Sequence, residues 1–222
     1  IGGAINNEGV IVARLGTVAL LGADRIKLTL SQDGLISVAI EEPVANKIYD
    51  ENGDPILDQI KNTGTITADG GTVLIKAESL PEIFHNAINL EGTIEADSFQ
   101  EKDGRVIILA DSDNNLKINA DIRATKIDIG EETPTIDSNN IPIPNIDASL
   151  IKEPPKEVII RESGEITAES IINIKAEEAV NIDSIVTAPN VNITTNGMID
   201  TTPTAIIQAT NLNLYSDKFS AG

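Results

Sequence analysis

A repeat of about 20 residues constrains the fold of this chain more than any other feature of its sequence. In the last third, Ala168, Ala188 and Ala209 are 20 and 21 residues apart. Three apolar pairs follow these alanines at spacings of 19 and 21 residues: Ile172/Ile174, Val191/Ile193 and Leu212/Leu214. A repeat of this length is typical of one coil of a solenoid, in which each coil covers the hydrophobic face of its neighbour.

Each copy of the repeat has the pattern apolar-x-Ala, a short break, and apolar-x-apolar. This alternation predicts two β-strands joined by a corner, and we expect the small alanine to lie beside the bend. The copies cover residues 11–23, 66–77, 94–110, 122–129, 166–174, 186–193 and 207–214.

Glycine and asparagine recur in step with the repeat. Gly9, Gly64 and Gly92 each follow an isoleucine by four residues, and we expect them to form corners with positive φ. The pairs Asn190/Asn211 and Asn192/Asn213 predict ladders of stacked side chains on the outside, at the corners.

The composition indicates a narrow interior. The chain has 37 isoleucines but only 2% aromatic residues, so its core must consist of branched aliphatic side chains, which favour strands. We therefore predict an all-β chain folded as a parallel β-helix, or β-solenoid, of roughly 20 residues per coil and roughly seven to nine coils.

Two stretches interrupt the repeat, and a third has a possible helix signal. Residues 31–59 contain Asp33-Gly34 and Asn52-Gly53, which predict hairpin turns. Residues 131–156 are rich in proline, which predicts a loop outside the strands. Ser79 and Glu82 form a possible capping box, which predicts one or two helical turns within residues 77–88.

The resulting division is one continuous solenoid with insertions. Residues 1–30, 60–130 and 157–222 form coils, residues 31–59 form an insertion with hairpins, and residues 131–156 form the proline-rich loop. The chain starts at Ile1 in the middle of the pattern, so we expect it to be a segment of a longer protein.

Net charge and the absence of motifs exclude several functions. A formal charge of −19 disfavours binding to nucleic acid. Because His85 is the only histidine, we expect neither a Ser-His-Asp triad nor a metal site with several histidines within this chain. We expect no metal or cofactor, although Asp50–Asp54 and Asp111–Asn115 are acidic clusters and the first resembles the start of a calcium loop.

Carboxylate chemistry is the remaining possibility for catalysis. β-Helical polysaccharide lyases and hydrolases can work with acids and a basic residue, and Asp69, Asp97 and Asp111 lie in or beside the repeats. No acidic cluster at coil spacing is evident, so we expect these residues to be solvated corners and the chain to have no catalytic residues.

Residues 6–42 resemble the end of the secretion domain in filamentous haemagglutinin-like exoproteins of the two-partner secretion family, and residues 62–77 resemble the coils that follow it. The resemblance is dense over residues 5–110. It implies a right-handed parallel β-helix that is exported through an outer-membrane partner transporter and displayed on the bacterial surface or secreted. The family's Asn-Pro-Asn-Gly export signature is not in this chain, and we expect it upstream.

We therefore expect a structural or adhesive segment of a surface filament, with an unidentified receptor and with further coils or subunits stacked at both ends. Two alternatives stay open: a carbohydrate-active β-helix enzyme, and a surface-layer or sheath subunit whose rods pack side by side.

Overall fold

The structure is a computed structural model that describes residues 1–30, 36–111, 113–130 and 154–221. These residues contain strands and no helix, which confirms the prediction of an all-β chain. The first strands, in chain order, are β1 Ile5–Asn7, β2 Val10–Val12, β3 Thr17–Gly22, β4 Arg25–Leu30, β5 Ile36–Glu42, β6 Asp58–Asn62, β7 Thr65–Thr67, β8 Thr72–Ala77, β9 Asn86–Leu90, β10 Thr93–Ala96 and β11 Arg105–Ala110. The remaining strands are β12 Asn115–Ile118, β13 Asp121–Ile129, β14 Glu157–Ile160, β15 Glu165–Ala176, β16 Ala179–Ile182, β17 Ile185–Thr187, β18 Asn190–Thr195, β19 Met198–Thr201, β20 Ile206–Gln208, β21 Asn211–Tyr215 and β22 Lys218–Ala221.

Except for β4 and β5, these strands pair in parallel and form three ladders. The first ladder has eight strands in the order β1-β6-β9-β12-β14-β16-β19-β22. The second ladder consists of β2, β7, β10, the start of β13, the start of β15, β17 and β20. The third consists of β3, β8, β11, the end of β13, the end of β15, β18 and β21.

The chain passes through the ladders in a fixed order. It goes from the first ladder to the second and then to the third, and the next pass pairs with the one before it. The long strands β13 and β15 take part in two ladders, and the register between them shifts between Ala124 and Lys126. Every pass therefore adds one strand to each ladder, as stacking of repeats requires.

The register of the last passes matches the sequence alignment. Ile172 pairs with Val191 and Val191 with Leu212, while Ile174, Ile193 and Leu214 form a neighbouring row. The members on β15 and β18 are at most 1% exposed. Leu212 is 44% exposed, because β21 is the last strand of its ladder among the described residues.

Inward side chains from all three ladders form one hydrophobic core. In the first ladder, Ile60, Ile88 and Leu116 lie in register and are completely buried. Branched side chains on adjacent strands pack tightly against each other in such rows. The repeat alanines Ala68, Ala96, Ala124, Ala168 and Ala188 are all buried in this core, where the second ladder turns toward the third.

The corner glycines are required for a reason that differs from our prediction. Gly9, Gly64 and Gly92 do not have positive φ, so the prediction of left-handed corners was wrong for all three. A Cβ atom on Gly64 would lie 2.1 Å from the carbonyl oxygen of Gly9, and one on Gly92 would lie 2.0 Å from that of Gly64. Close stacking of successive corners therefore excludes any side chain at these positions.

The antiparallel pair β4–β5 leaves the parallel ladders between the first and second passes. It starts at Arg25 and ends at Glu42, so part of it precedes the predicted insertion 31–59. Asp33-Gly34 lies outside the described residues. Asn52-Gly53 lies in a turn closed by an antiparallel bridge between Tyr49 and Pro55. Most of the proline-rich stretch, residues 131–153, also lies outside the described part of the chain.

The predicted helical turns within residues 77–88 are wrong, because no helix forms there. Ser79 forms a parallel bridge with Val44, and the Leu80 N–H donates to the Val44 carbonyl. The Ser79 N–H donates to the Asp111 carboxylate at 3.0 Å. The backbone groups that a helix would use are therefore bonded to neighbouring passes.

The third ladder is buried on both faces near its start, which the alternation of apolar residues did not predict. Leu21, Leu74, Ile107 and Leu109 form a second hydrophobic cluster on the face opposite to the main core, and Ile26 of β4 packs against it. Two ion pairs are also buried on this face, Lys76–Glu78 at 3.1 Å and Arg105–Asp128 at 2.6 Å.

Candidate functional site

The outer face of the second ladder brings charged side chains from consecutive passes together. Glu95 of β10 pairs in register with Arg123 of β13, and Arg123 pairs with Thr167 of β15. Two residues earlier in β13 and β15, Asp121 and Glu165 occupy equivalent positions on consecutive passes. We call this set, with Asp97 at the corner that follows β10, the Arg123 face.

Arg123 connects two passes by ion pairs. Its Nε donates to Asp97 Oδ2 at 2.8 Å and to Oδ1 at 3.0 Å, and its Nη2 donates to Glu95 Oε1 at 3.2 Å. The hydrogen bond and the charge of Asp97 raise the pKa of Arg123 above its usual range. The Arg123 side chain is 55% exposed, so water screens these pairs and they contribute little to stability.

Hydrogen bonds within a pass and between passes hold the carboxylates around Arg123. Glu165 accepts a bond from the Thr167 hydroxyl at 3.1 Å, and its backbone N–H donates to Asp121 Oδ1 at 3.1 Å. Glu169 accepts bonds of 3.4 Å from the hydroxyls of Ser98 and Thr125. The positions of these carboxylates are therefore set by hydrogen bonds to nearby residues of the stacked passes.

A shallow groove of about 400 Å³ runs over the Arg123 face. Its lining includes Thr93, Glu95, Arg123, Glu165 and Thr167. Hydroxyls, carboxylates and a guanidinium offer donors and acceptors to a polar ligand. The groove has no aromatic side chain in its lining on which a sugar ring could stack.

Of the three aspartates that the sequence analysis considered for catalysis, two lie near Arg123 and the third lies elsewhere. Asp97 belongs to the Arg123 face, and Asp69 lies near enough to contribute to the raised pKa of Arg123. Asp111 lies at the corner after the third ladder, where it binds Ser79 and Asn114. Both oxygens of Asp97 accept hydrogen bonds from Arg123, so this carboxylate is engaged in an ion pair.

The sequence analysis did not single out Glu95, Arg123 and Glu165. The signal lay in the alignment of the repeat on its alanine. The residue before that alanine is Glu95 in one copy and Arg123 in the next, and the structure pairs them directly.

His85 lines a second cavity, of about 460 Å³, where corner segments of several passes meet. Its side chain is exposed, and its backbone N–H donates to the Leu57 carbonyl. Lys47, Phe84 and Asp113 are among the other lining residues. The described part of the chain thus gives His85 no nucleophile or metal ligand as a hydrogen-bond partner.

Both acidic stretches that resemble calcium loops bind their own backbone or neighbouring side chains. Asp50 Oδ1 accepts the N–H groups of Asn52 and Asp54 at 2.9 Å each, and the bond from Asp54 is the largest of the effects that together lower the pKa of Asp50. Asp111 accepts from Asn114 Nδ2 at 2.6 Å. Within the described ranges, no three potential ligands are grouped so that they could hold a metal ion.

Burial controls the ionisation of Asp111. Desolvation is the largest effect and raises its pKa, against the hydrogen bonds from Asn114 and Ser79, and the charges of Glu78 and Asp113 raise it further. The hydrogen bond from Ser79 connects this carboxylate to the segment after β8, which indicates a structural role.

The described residues contain no helix of sufficient length and hydrophobicity to cross a membrane. No protein-family model matches this chain, and no curated protein matches it either.

Proposed function

We propose that this chain is a right-handed parallel β-helix and serves as a structural and adhesive segment of a filamentous haemagglutinin-like exoprotein. The observation that carries the proposal is the unbroken stacking of passes. Asn192 binds Asn173 across 19 residues, and Asn213 binds Asn192 across 21 residues, as expected for coils of this length.

A stack of this kind suits a mechanical role. Each pass contacts its two neighbours through three ladders and a continuous aliphatic core, so length can be added without a change of architecture. The outer surface presents rows of polar side chains at a regular spacing of about 4.8 Å. Such a rod can grow in length and can present its outer rows of side chains to a partner.

The proposed setting follows from the resemblance of residues 6–42 and 62–77 to the two-partner secretion family. In this proposal the chain is exported through an outer-membrane partner transporter and acts on the bacterial surface or after release. Its partners are a receptor on another cell or in a matrix, and further layers that stack on both ends.

The apolar surface of the end layers supports stacking. At one end the inward residues Ile5 and Ile11 are only half-buried, and at the other end Leu212 is 44% exposed, whereas their partners in the inner passes are completely buried. These residues belong to strands that have one ladder neighbour each among the described residues. A further layer on either end would remove this apolar surface from water.

The test combines microscopy with adhesion. We expect negative-stain images to show thin rods, and beads coated with the chain to bind bacteria or host cells. Beads coated with a Val191→Asp variant, whose last passes are disrupted, should bind less. Globular particles, or coated beads that adhere no more than uncoated ones, would overturn the proposal, and flat sheets would favour a surface-layer or sheath subunit.

A carbohydrate-active enzyme is the second candidate, because the Arg123 face places an arginine among carboxylates in a groove. Incubation with acidic polysaccharides and an absorbance assay for unsaturated products tests it. We expect no product. Product that forms with the native chain and not with an Arg123→Ala variant would favour the enzyme over the adhesin.

A further inference from the structure

Two columns of asparagine side chains run along the outer face of the third ladder and end on β21. In the first column, Asn213 Nδ2 donates to Asn192 Oδ1 at 2.8 Å, Asn192 Nδ2 to Asn173 Oδ1 at 2.7 Å, and Asn173 Nδ2 to Asp128 Oδ1 at 2.8 Å. The columns lie within strands and in register, not at the corners as the sequence analysis expected.

The second column is shorter and lies beside the first. Asn211 Nδ2 donates to Asn190 Oδ1 at 2.9 Å, and Asn190 Nδ2 donates to the Ser170 carbonyl at 3.1 Å. Both columns therefore begin on a group that can only accept: the Asp128 carboxylate in one, and a main-chain carbonyl in the other. The far oxygen of Asp128 accepts from Arg105 at 2.6 Å.

The acceptor at the base fixes the direction of every amide above it. The first asparagine of each column must direct its amide nitrogen toward the acceptor at the start of the column. Its amide oxygen therefore points toward the next pass. The next asparagine must then donate its amide N–H to that oxygen, and the same orientation is repeated up to β21. The outermost residues Asn211 and Asn213 consequently direct their amide oxygens toward the open side of the ladder.

The open edge of β21 is accessible. Among the described residues its one ladder neighbour is β18. Asn211 and Asn213 are exposed, and Leu212 between them is 44% exposed. The edge thus offers two amide oxygens, the main-chain groups of a strand and an apolar side chain.

We propose that the layer that stacks on β21 contributes a parallel β-strand with side-chain N–H donors over Asn211 and Asn213 and an apolar residue over Leu212. The pattern of such a strand is donor, apolar, donor. Strand addition to an open edge supplies main-chain hydrogen bonds, and the two amide oxygens select the sequence. The inference rests on the proposed stacking of further layers and specifies the chemistry of one of them.

A second copy of this chain fits the edge less well. If its first strand in the third ladder, β3, stacked with Val18 over Leu212, the hydroxyl of Thr17 would lie over Asn211. Ala19 would then lie over Asn213 and would offer no donor. An amide oxygen covered by a methyl group loses its water without gaining a hydrogen bond. The edge therefore favours a strand with two donors.

Labelled peptides test the proposal on the whole chain by fluorescence anisotropy. One peptide copies residues 187–195, which contain Asn190, Val191 and Asn192. Two matched peptides carry leucine or aspartate in place of both asparagines. The measurement is made in about 1 M sodium chloride, where the Debye length of about 3 Å screens the charge of −19.

We expect the asparagine peptide to bind at least about tenfold more tightly than either matched peptide. Hydrogen exchange should show that it protects the amides of β21. Equal or tighter binding of the leucine peptide would overturn the proposal, as would no binding of any peptide. Neither result bears on rod formation or bead adhesion, which test the proposed function separately.

The variant Asn213→Leu gives an independent control. Asn213 is exposed, so thermal unfolding should be unchanged, and the preference for asparagine over leucine at the matching peptide position should disappear. A preference that persists in this variant would overturn the proposal, because it would place the peptide elsewhere.

Discussion

Asn7 Nδ2 donates a 2.7 Å hydrogen bond to Asn62 Oδ1 across 55 residues of chain, and Asn62 is completely buried. In the first ladder Asn62 pairs with Leu90, so it occupies an inward position among aliphatic side chains. Its Nδ2 donates to the Gly64 carbonyl at 3.2 Å. A buried amide of this kind favours one register of β1 on β6 because other registers leave it unpaired.

Asn62→Asp should therefore destabilise the chain by about 2–4 kcal/mol at pH 8, because a buried carboxylate faces the Gly64 carbonyl and has lost its donor. The loss should be smaller at pH 4, where a buried carboxyl is protonated and can donate. Denaturant unfolding measures it. Asn196→Asp adds the same charge at an exposed site and should change stability by less than about 0.5 kcal/mol. Equal effects of the two changes would place Asn62 at the surface.

Val191→Asp should melt the last passes while the first ones persist. Val191 is completely buried between Ile172 and Leu212, so the carboxylate would cost about 3 kcal/mol or more. In a stack of repeats the loss stays near the substitution. Hydrogen exchange should show faster exchange in β18 and β21 than in β7 and β8. Thr194→Asp, on the outer face of the same strand, is the control, and an equal response to both changes would contradict the assigned inner face.

Two arginines on neighbouring ladders should differ in their effect on stability. Arg105 donates to Asp128 at 2.8 and 2.6 Å with both side chains almost fully buried, whereas Arg123 is half exposed. Arg105→Ala should cost about 3–5 kcal/mol, and Arg123→Ala less than about 1 kcal/mol. Chemical denaturation of both variants measures the difference. Similar losses would show that Arg123 is part of the core structure rather than of a surface groove.

Ionisation of the Asp111 carboxyl should lower the free energy of unfolding. Its pKa is raised in the folded state, mainly by burial, so the folded chain binds this proton more tightly than the unfolded chain. The contribution is therefore favourable below the unfolded pKa and is lost as the pH rises through the folded pKa. The free energy of unfolding of Asp111→Asn minus that of the native chain should therefore increase between pH 4 and pH 8, because only the native chain loses stability as this carboxyl ionises. A difference that is constant or falls would show that the hydrogen bonds from Ser79 and Asn114 outweigh burial.

The sequence alone predicted the parts of the fold that repeat locally. Aligning the copies on alanine placed Ile172, Val191 and Leu212 in one row and paired Asn192 with Asn213, because β-strand pairing in register stacks equivalent residues. The all-β class and the turn at Asn52-Gly53 also followed from local patterns.

Features that depend on contacts between passes were not predicted. The helical turns at Ser79 do not form because Val44 and Asp111, distant in sequence, bind the same backbone. The second apolar cluster was missed although the continuous apolar run of β11, Val106 to Leu109, is typical of a strand buried on both faces. The Arg123 face was missed because the copies were compared for apolar residues and not for the residue between them.

Engineered disulfides test the stacking of successive passes most directly, since the native chain has no cysteine. Thr167 and Thr187 lie in register on adjacent strands of the second ladder, at a strand spacing of about 4.8 Å, which a disulfide can span. Gln208 lies one strand further, at about 10 Å from Thr167, which is too far. The double variant Thr167→Cys with Thr187→Cys should oxidise to an intramolecular disulfide, and Thr167→Cys with Gln208→Cys should not. Crosslinking of the second pair without the first would contradict the stack of passes of about 20 residues.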